Sequence, residues 1–479
     1  MRFIYFLNHS NPKKNGRWTT CLAISLLLTL SFGQDDRLRL KQADLLENIT
    51  VDGLSMQYLR GNVIFHKGDM VMNCDWARFD KKTEQGFLFG NVSMVEDVQN
   101  LTCDSLFVDS PKDIMIAYSN THVWDTTYSL VADTLFYFSE LDSGSANGNT
   151  ILIQDKQTIK GDRIEYFEIP ESDGVSYAAK GNVSITEEGR LATCGEAIYD
   201  RENGKTTLRI KPEIIDNNQT IAGSEIFLEY DEDILKSLFI PSNAHATHPS
   251  MGIREWTNIV DGDTLTFEDS ISFSDDMTGS ILRGYFTDGI MDSMRLEGMA
   301  TTLYHIFEDS VYQGKNEASG DTIIMNFTEN ELQNIYVTGG SRGVYTPDST
   351  GADVDGPIEY ESEDIDYDVV NEFTDLHGDA FIDYTNINLS AGFINVAWRN
   401  NLLRAFPESK KDSTYGWIRP SMVENGEEPM VGDTMIYNLE TRHGKVIQGT
   451  TKAEDGYYHG QEIRNQDMEI GRASCRERV

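Results

Sequence analysis

The sequence predicts an all-β fold, an elongated twisted β jelly roll built from stacked two-strand repeats of about 29 residues. Three observations predict it. Aspartates recur 29 residues apart, at Asp75, Asp104, Asp133 and Asp162, each one step after a small residue. The residues around them alternate apolar and polar with a period of two and are rich in Val, Ile, Leu, Phe and Tyr, the signature of strands and not of helices. The alternation slips by one position at each of these aspartates.

The first repeat reads Met72-Asn73-Cys74-Asp75-Trp76-Ala77-Arg78-Phe79, and later copies are centred on Cys103-Asp104, Ala132-Asp133 and Gly161-Asp162. Drifted copies keep the frame at Cys194-Gly195 and Gly223-Ser224, and Gly262-Asp263, Gly320-Asp321 and Gly432-Asp433 restore the acid. A second phrase precedes the first: Gly61-Asn62-Val63, Gly90-Asn91-Val92, Ser119-Asn120-Thr121, Gly148-Asn149-Thr150 and Gly181-Asn182-Val183. Each unit thus holds two strands of about ten residues and two turns. Met70, Met72 and Cys74 share one face, yet the next apolar positions are Ala77 and Phe79, a jump of three. A strict period of two would put those residues on the other side. The slip implies a bulge at which the strand bends from one sheet into a facing one and keeps its apolar side inward. Asp75, Asp104, Asp133 and Asp162 are therefore read as structural corner residues that cap free backbone N–H groups.

Residues 1–33 differ in kind. Lys13, Lys14 and Arg17 precede the apolar run Cys21–Leu30, and Ser31-Phe32-Gly33 supplies small residues for cleavage, which reads as a signal peptide. The formal charge is −38; with +4 in the first 33 residues and +1 in the last 11, the body is near −43. Such a body excludes a nucleic-acid partner, which needs a basic stripe. Cys74, Cys103 and Cys194 sit at equivalent corners, and such positions in successive units lie two strands apart. That is roughly 9–10 Å, too far for a disulfide, so they read as small corner residues. No catalytic residues, metal ligands or cofactor are expected. The nine histidines are scattered, and phosphate loops, nucleophile elbows and zinc spacings are missing from the sequence. One carboxylate per unit falls short of a calcium site.

The phrases Gly61-Asn62-Val63 with Met72 to Phe79, and Gly148-Asn149-Thr150 through Tyr166, resemble the OstA-like, LptA-type lipopolysaccharide transport family over residues 45–230, with diverged copies to about 465. Asn388 to Trp398, Gly432 to Asn438 and Gly456 to Gly460 resemble the soluble N-terminal region of LptD-like assembly proteins. The resemblance implies an open-ended β jelly roll whose apolar interior holds lipid acyl chains. On this chain the inward candidates are Val63, Phe65, Met70, Met72, Leu101, Val123, Leu130, Ile151, Ile153, Ile159, Ile164 and Tyr166. It further implies a non-enzymatic lipid conduit in the periplasm, associated with the outer membrane of a Gram-negative-type bacterium. The implied partners are lipopolysaccharide or a related lipid, other Lpt-type jelly-roll proteins joined by end-to-end strand pairing, and an outer-membrane barrel, in cis if the chain is truncated and otherwise in trans. The alternative is a structural or adhesive extracytoplasmic β-repeat protein without a lipid ligand. An enzyme acting on envelope polymers would need a cluster of acids or histidines that the sequence does not offer.

Breaks in the period set the expected organisation: a signal peptide at 1–33, repeats over 34–240, a second diverged array over 241–345, a linker at 346–357 and a third array over 358–468. Residues 469–479 are basic where the body is acidic and lack alternation, and they resemble the translation of a sequencing adapter. The expectation is that the natural protein continues beyond residue 468 into a membrane β-barrel.

Overall fold

The computed structural model describes residues 38–465 except 52–53, 139–142, 155, 169–174, 188, 201–202, 217–218, 232–233, 261–262, 330, 349–355, 410–416 and 454–455. The expected signal peptide and the 469–479 tail lie outside the described residues. The regular structure described is β throughout, apart from short 3-10 turns at Ser110–Lys112 and Trp398–Asn400.

The strands follow in chain order: β1 (Arg39–Gln42), β2 (Leu45–Val51), β3 (Leu54–Lys67), β4 (Met70–Asp80), β5 (Gln85–Glu96), β6 (Gln99–Asp109), β7 (Ile114–Trp124), β8 (Tyr128–Phe138), β9 (Ser143–Gln154), β10 (Gln157–Glu168), β11 (Val175–Glu187), β12 (Arg190–Asp200), β13 (Lys205–Arg209), β14 (Glu213–Asp216), β15 (Gln219–Ala222), β16 (Glu225–Asp231) and β17 (Ile234–Ile240). Longer strands come next: β18 (Ala244–Val260), β19 (Asp263–Gly279), β20 (Ile281–Thr287), β21 (Ile290–Glu308), β22 (Val311–Thr328), β23 (Glu331–Pro347), β24 (Ile358–Asp368), β25 (Phe373–Tyr384) and β26 (Ile387–Ala397), with shorter strands to Asn465. The described residues divide into two compact units, one holding 38–216 with 224–236, the other 219–223 with 237–465.

In the first unit each strand from β3 to β12 pairs antiparallel with its successor. At the start, β1 and β2 share β3 as partner, one on each side of its bend. At the other end β12 is shared by β13 and β14 in the same way. In the second unit β21 to β26 repeat the sequential antiparallel pairing. Tyr345 of β23 and Ile358 of β24 are register partners.

The parity slip of the sequence is a register shift in the structure. Between Asn73 and Trp76 of β4 lie two residues, whereas their partners Ser93 and Phe89 on β5 enclose three. The extra residue belongs to Gly90-Asn91, both left-handed, with φ of 74° and 49°. The same left-handed pair stands at Gly61-Asn62, Ser119-Asn120, Gly148-Asn149 and Gly181-Asn182. A three-step stride on one strand thus meets a four-step stride on its neighbour, and both return to the interior in phase. Burial follows: Met70, Met72 and Cys74 before the step and Ala77 and Phe79 after it are all buried.

Each corner is tied by one side-chain bond. The carboxylates of Asp75, Asp104, Asp133 and Asp162 accept from the amides of Asn91, Asn120, Asn149 and Asn182 at 2.9, 2.8, 3.1 and 3.0 Å. Asp44 and Asn62 add an earlier copy at 2.8 Å. These bonds replace the backbone N–H caps expected from sequence: the donor is the Asn of the second phrase, on the neighbouring strand. They also fix why glycine precedes Asn. A Cβ on Gly90 would lie 2.5 Å from Asp75 Oδ2. At the drifted corner the glycine changes sides, since Gly195 faces Ile210-Lys211, whose φ angles are 64° and 55°. In the second unit Ser280 faces Gly298-Met299, Asp321 faces Gly339-Gly340 and Glu363 faces Gly378-Asp379.

The bend folds each strand of the first unit over a shared core. Leu101 and Leu106, on either side of Asp104 in one strand, line the same small cavity together with Met94, Met115, Val123 and Tyr137. Phe65 and Phe79, from opposite halves, bring their ring centroids to 5.9 Å. We expect Gly90→Ala to cost about 2–3 kcal/mol, because an alanine there adds left-handed strain to the clash with Asp75. Adding Asp75→Gly should recover part of that loss in urea unfolding, since relief of the clash outweighs loss of the exposed Asn91 bond. Equal stability of the single and double variants would contradict this account of the corner.

Candidate functional site

The candidate site is the interior between the two halves of the first unit's strands. Val63, Phe65, Met70 and Met72 are fully buried there, and Leu101, Val123, Leu130, Ile164 and Tyr166 are buried as well. Ile159 keeps the inward parity of Gly161 but is only half-covered. Ile151 and Ile153 do not line the interior. After the left-handed Gly148-Asn149 pair the inward positions are Thr150 and Leu152, at 1% and 4% exposure, while Ile153 is 46% exposed. The expectation failed because two isoleucines outweigh one threonine in any apolar reading. Thr150 can point inward because its hydroxyl donates to the Gly161 carbonyl at 2.6 Å. Leu88, Met94, Leu106, Leu135 and Tyr137 complete the lining. They were reachable from sequence by counting outward from each corner, not along a single alternation.

The inward rows change character at the hairpin ends. Val63 and Phe65 are followed by Lys67, Cys103 and Leu101 by Gln99, and Ala132 and Leu130 by Tyr128, all of them buried. Lys67 Nζ reaches Asp113 Oδ1 at 2.8 Å, with only 7% of the lysine side chain exposed. The link joins the end of β3 on one half to the β6–β7 turn on the other, and so spans the open side of the fold. Ser110 Oγ, in the same turn as Asp113, is buried without a hydrogen-bond partner, as are Gln99 Nε2 and Tyr128 OH at other hairpin ends. Burial pushes the Tyr128 phenol well above its ordinary value, aided by the nearby Asp125 carboxylate. Inside, the cavities are small: about 20 Å³ beside Leu101 and about 10 Å³ beside Leu130 and Leu152. The apolar lining is packed against itself.

The second unit carries hydrogen-bonded polar groups in its core. Asp275, 3% exposed, accepts from the His305 backbone at 2.8 Å, lies 2.7 Å from His305 Nδ1 and accepts from the Ser250 hydroxyl. Phe273 stacks on that imidazole at 4.1 Å. Tyr360 donates to Asn316, whose amide donates to Tyr304, at 2.8 and 2.9 Å. These groups are mutually satisfied, as a stable buried network requires. Among the described residues no group of three or more His, Cys, Asp or Glu could hold a metal ion. No helix among them is long and apolar enough to cross a membrane.

Cys74, Cys103 and Cys194 are free and buried at their corners. Burial pushes their thiols up to about 11, 12 and 11. At pH 8 iodoacetamide should leave all three intact in the native chain and modify them in urea, as peptide mapping at these sites would show. Because the folded values lie above the ordinary value of 9.0, the thiols' contribution to stability is intact below about pH 9. It is lost as the pH rises towards 11–12, so unfolding midpoints should fall across that window. Alanine at the three positions should flatten the decline.

Residues 130–234 match the family model of the LptA/(LptD N-terminal domain) LPS transport protein. The match runs from within β8 to the start of β17, and over this stretch it bears out the resemblance to the OstA-like, LptA-type family. Among solved structures the chain is similar to LptH, the LptA-homologous periplasmic component of the lipopolysaccharide transport device from Pseudomonas aeruginosa. The two are 13% identical over 29% of this chain and 79% of that one, with a TM-score of 0.15. No curated protein matches the chain.

Proposed function

We propose that the chain is a non-enzymatic conduit in lipopolysaccharide transport that shields acyl chains between the folded-over halves of its strands. The family match over residues 130–234 supports the transport role. The observation that carries the lipid reading is the set of inward rows in the first unit, largely apolar apart from Thr121 and Thr150 beside the corners and ending in Lys67, Gln99 and Tyr128 at the open side. An acyl chain gains about 0.8 kcal/mol per buried CH₂, so a dozen carbons are worth on the order of 10 kcal/mol. That is enough to part side chains that exchange contacts with one another for contacts with the lipid.

In this reading the chain works in the periplasm and joins neighbouring Lpt-type proteins by strand addition. Among the described residues β1 and β2 pair with β3 alone. Leu45, Leu46 and Ile49 of β2 are exposed, which suits a docking edge. The alternative, a structural β-repeat without a lipid ligand, has the closely packed interior in its favour. Photo-crosslinking separates the two. With benzoylphenylalanine at Phe65, Leu152 or Ile164, irradiation of the full chain with purified lipopolysaccharide should give adducts. The outward positions Ile153 and Lys160 should give none. Adducts confined to the outward pair would sink the conduit.

A further inference from the structure

The polar border of the open side has a specific arrangement. Lys67 occupies an inward position, two residues beyond Phe65, where the row would otherwise carry a third apolar side chain. Its ammonium is nearly buried and meets Asp113, which belongs to the facing half of the fold. Ser110 Oγ, at the start of the same turn as Asp113, is buried and unpaired, as is Gln99 Nε2. A buried, partnerless donor costs free energy that a ligand oxygen would recover. Nothing in a self-sufficient core calls for a lysine, an amide and a hydroxyl along one border.

We propose that Lys67 and Asp113 form a clasp across the open side, released when an acyl chain passes between the rims. The freed Lys67, with Gln99 and Ser110, then receives the anionic headgroup of that lipid. This rests on the conduit reading and adds to it a gate and a headgroup class. The chemistry fits: one cation, one amide donor and one hydroxyl suit phosphate or carboxylate oxygens. In a chain whose body is strongly acidic, a lysine drawn inward is a selective feature.

The test uses the full chain and two fluorescent probes, 12-(1-pyrenyl)dodecanoic acid and its uncharged methyl ester, followed by stopped flow. Asp113→Asn is a mild change, because Asp113 sits at φ 50°, a conformation that Asn tolerates. It should speed uptake of both probes roughly fivefold, the kinetic equivalent of about 1 kcal/mol. Lys67→Met should speed the ester similarly yet weaken the acid roughly tenfold, abolishing the preference for charge. Lys67→Arg, which keeps charge and reach, should stay close to wild type and serves as the folding control. If Asp113→Asn and Lys67→Met, each with a native circular-dichroism spectrum, take up ester at the wild-type rate, the clasp is overturned. If Lys67→Met keeps its preference for the acid, the headgroup role is overturned. A wild-type chain that binds neither probe defeats the conduit reading itself, and the clasp with it.

Discussion

The fold depends on a steric bargain at each corner. A strand can bend and keep its apolar face inward only if its neighbour takes up one extra residue, and two successive left-handed residues supply it. Left-handed backbone is costly for side chains with a Cβ, so Gly and Asn hold these places in the early copies except at Ser119. The carboxylate opposite then does two things at once. It accepts the Asn amide, and it fills the space above the glycine, which fixes the order Gly-Asn against Asp. Everything inward follows from that arrangement, because a bend without the extra residue would turn half of every strand's apolar row outward.

The interior formed in this way has a gradient along several of its rows. Near the corner the rows hold small residues such as Cys74, Ala132 and Gly161; midway they hold Met72, Leu101 and Leu130; at the open side they end in Lys67, Gln99 and Tyr128. In these rows bulk increases away from the fold line and the charged and amide groups stand at the rim, while Thr121 and Thr150 turn hydroxyls inward beside the corner. A single sheet folded over itself needs that taper, since the halves converge at the corner and diverge towards the hairpins. The same taper is what an amphiphile with its tail inward and its head at the rim would meet, which is why packing and the proposed transport role draw on the same residues.

Much of this was legible in the sequence. The period, the strand class, the slip at each Asp and the burial of Val63, Phe65, Met70 and Met72 all follow from spacing and alternation alone. The partner of the Asp was not legible, because the pairing of the two phrases crosses between strands and needs the register. The outward turn of Ile151 and Ile153 escaped for a related reason: the phase resets at Gly148-Asn149, and hydropathy carries no record of a reset. The rim escaped because Lys67 and Gln99 stand beside turns, where polar residues are ordinary. Only the facing half, folded back from a strand distant in sequence, shows that Lys67 points in and meets Asp113.

The corner at Gly195 opposite Ile210-Lys211 bears on how such a repeat diverges. What has to be kept is not a residue but a clearance shared by two strands, and either strand can provide it. A lineage can therefore pass from an acid facing glycine to a glycine facing a bulky residue through an intermediate that is small on both sides, without losing the bend. Asn's amide bond is lost on the way, yet the geometry survives. Repeats of this kind can drift far in sequence, one corner at a time, while the fold line that runs through them stays where it was.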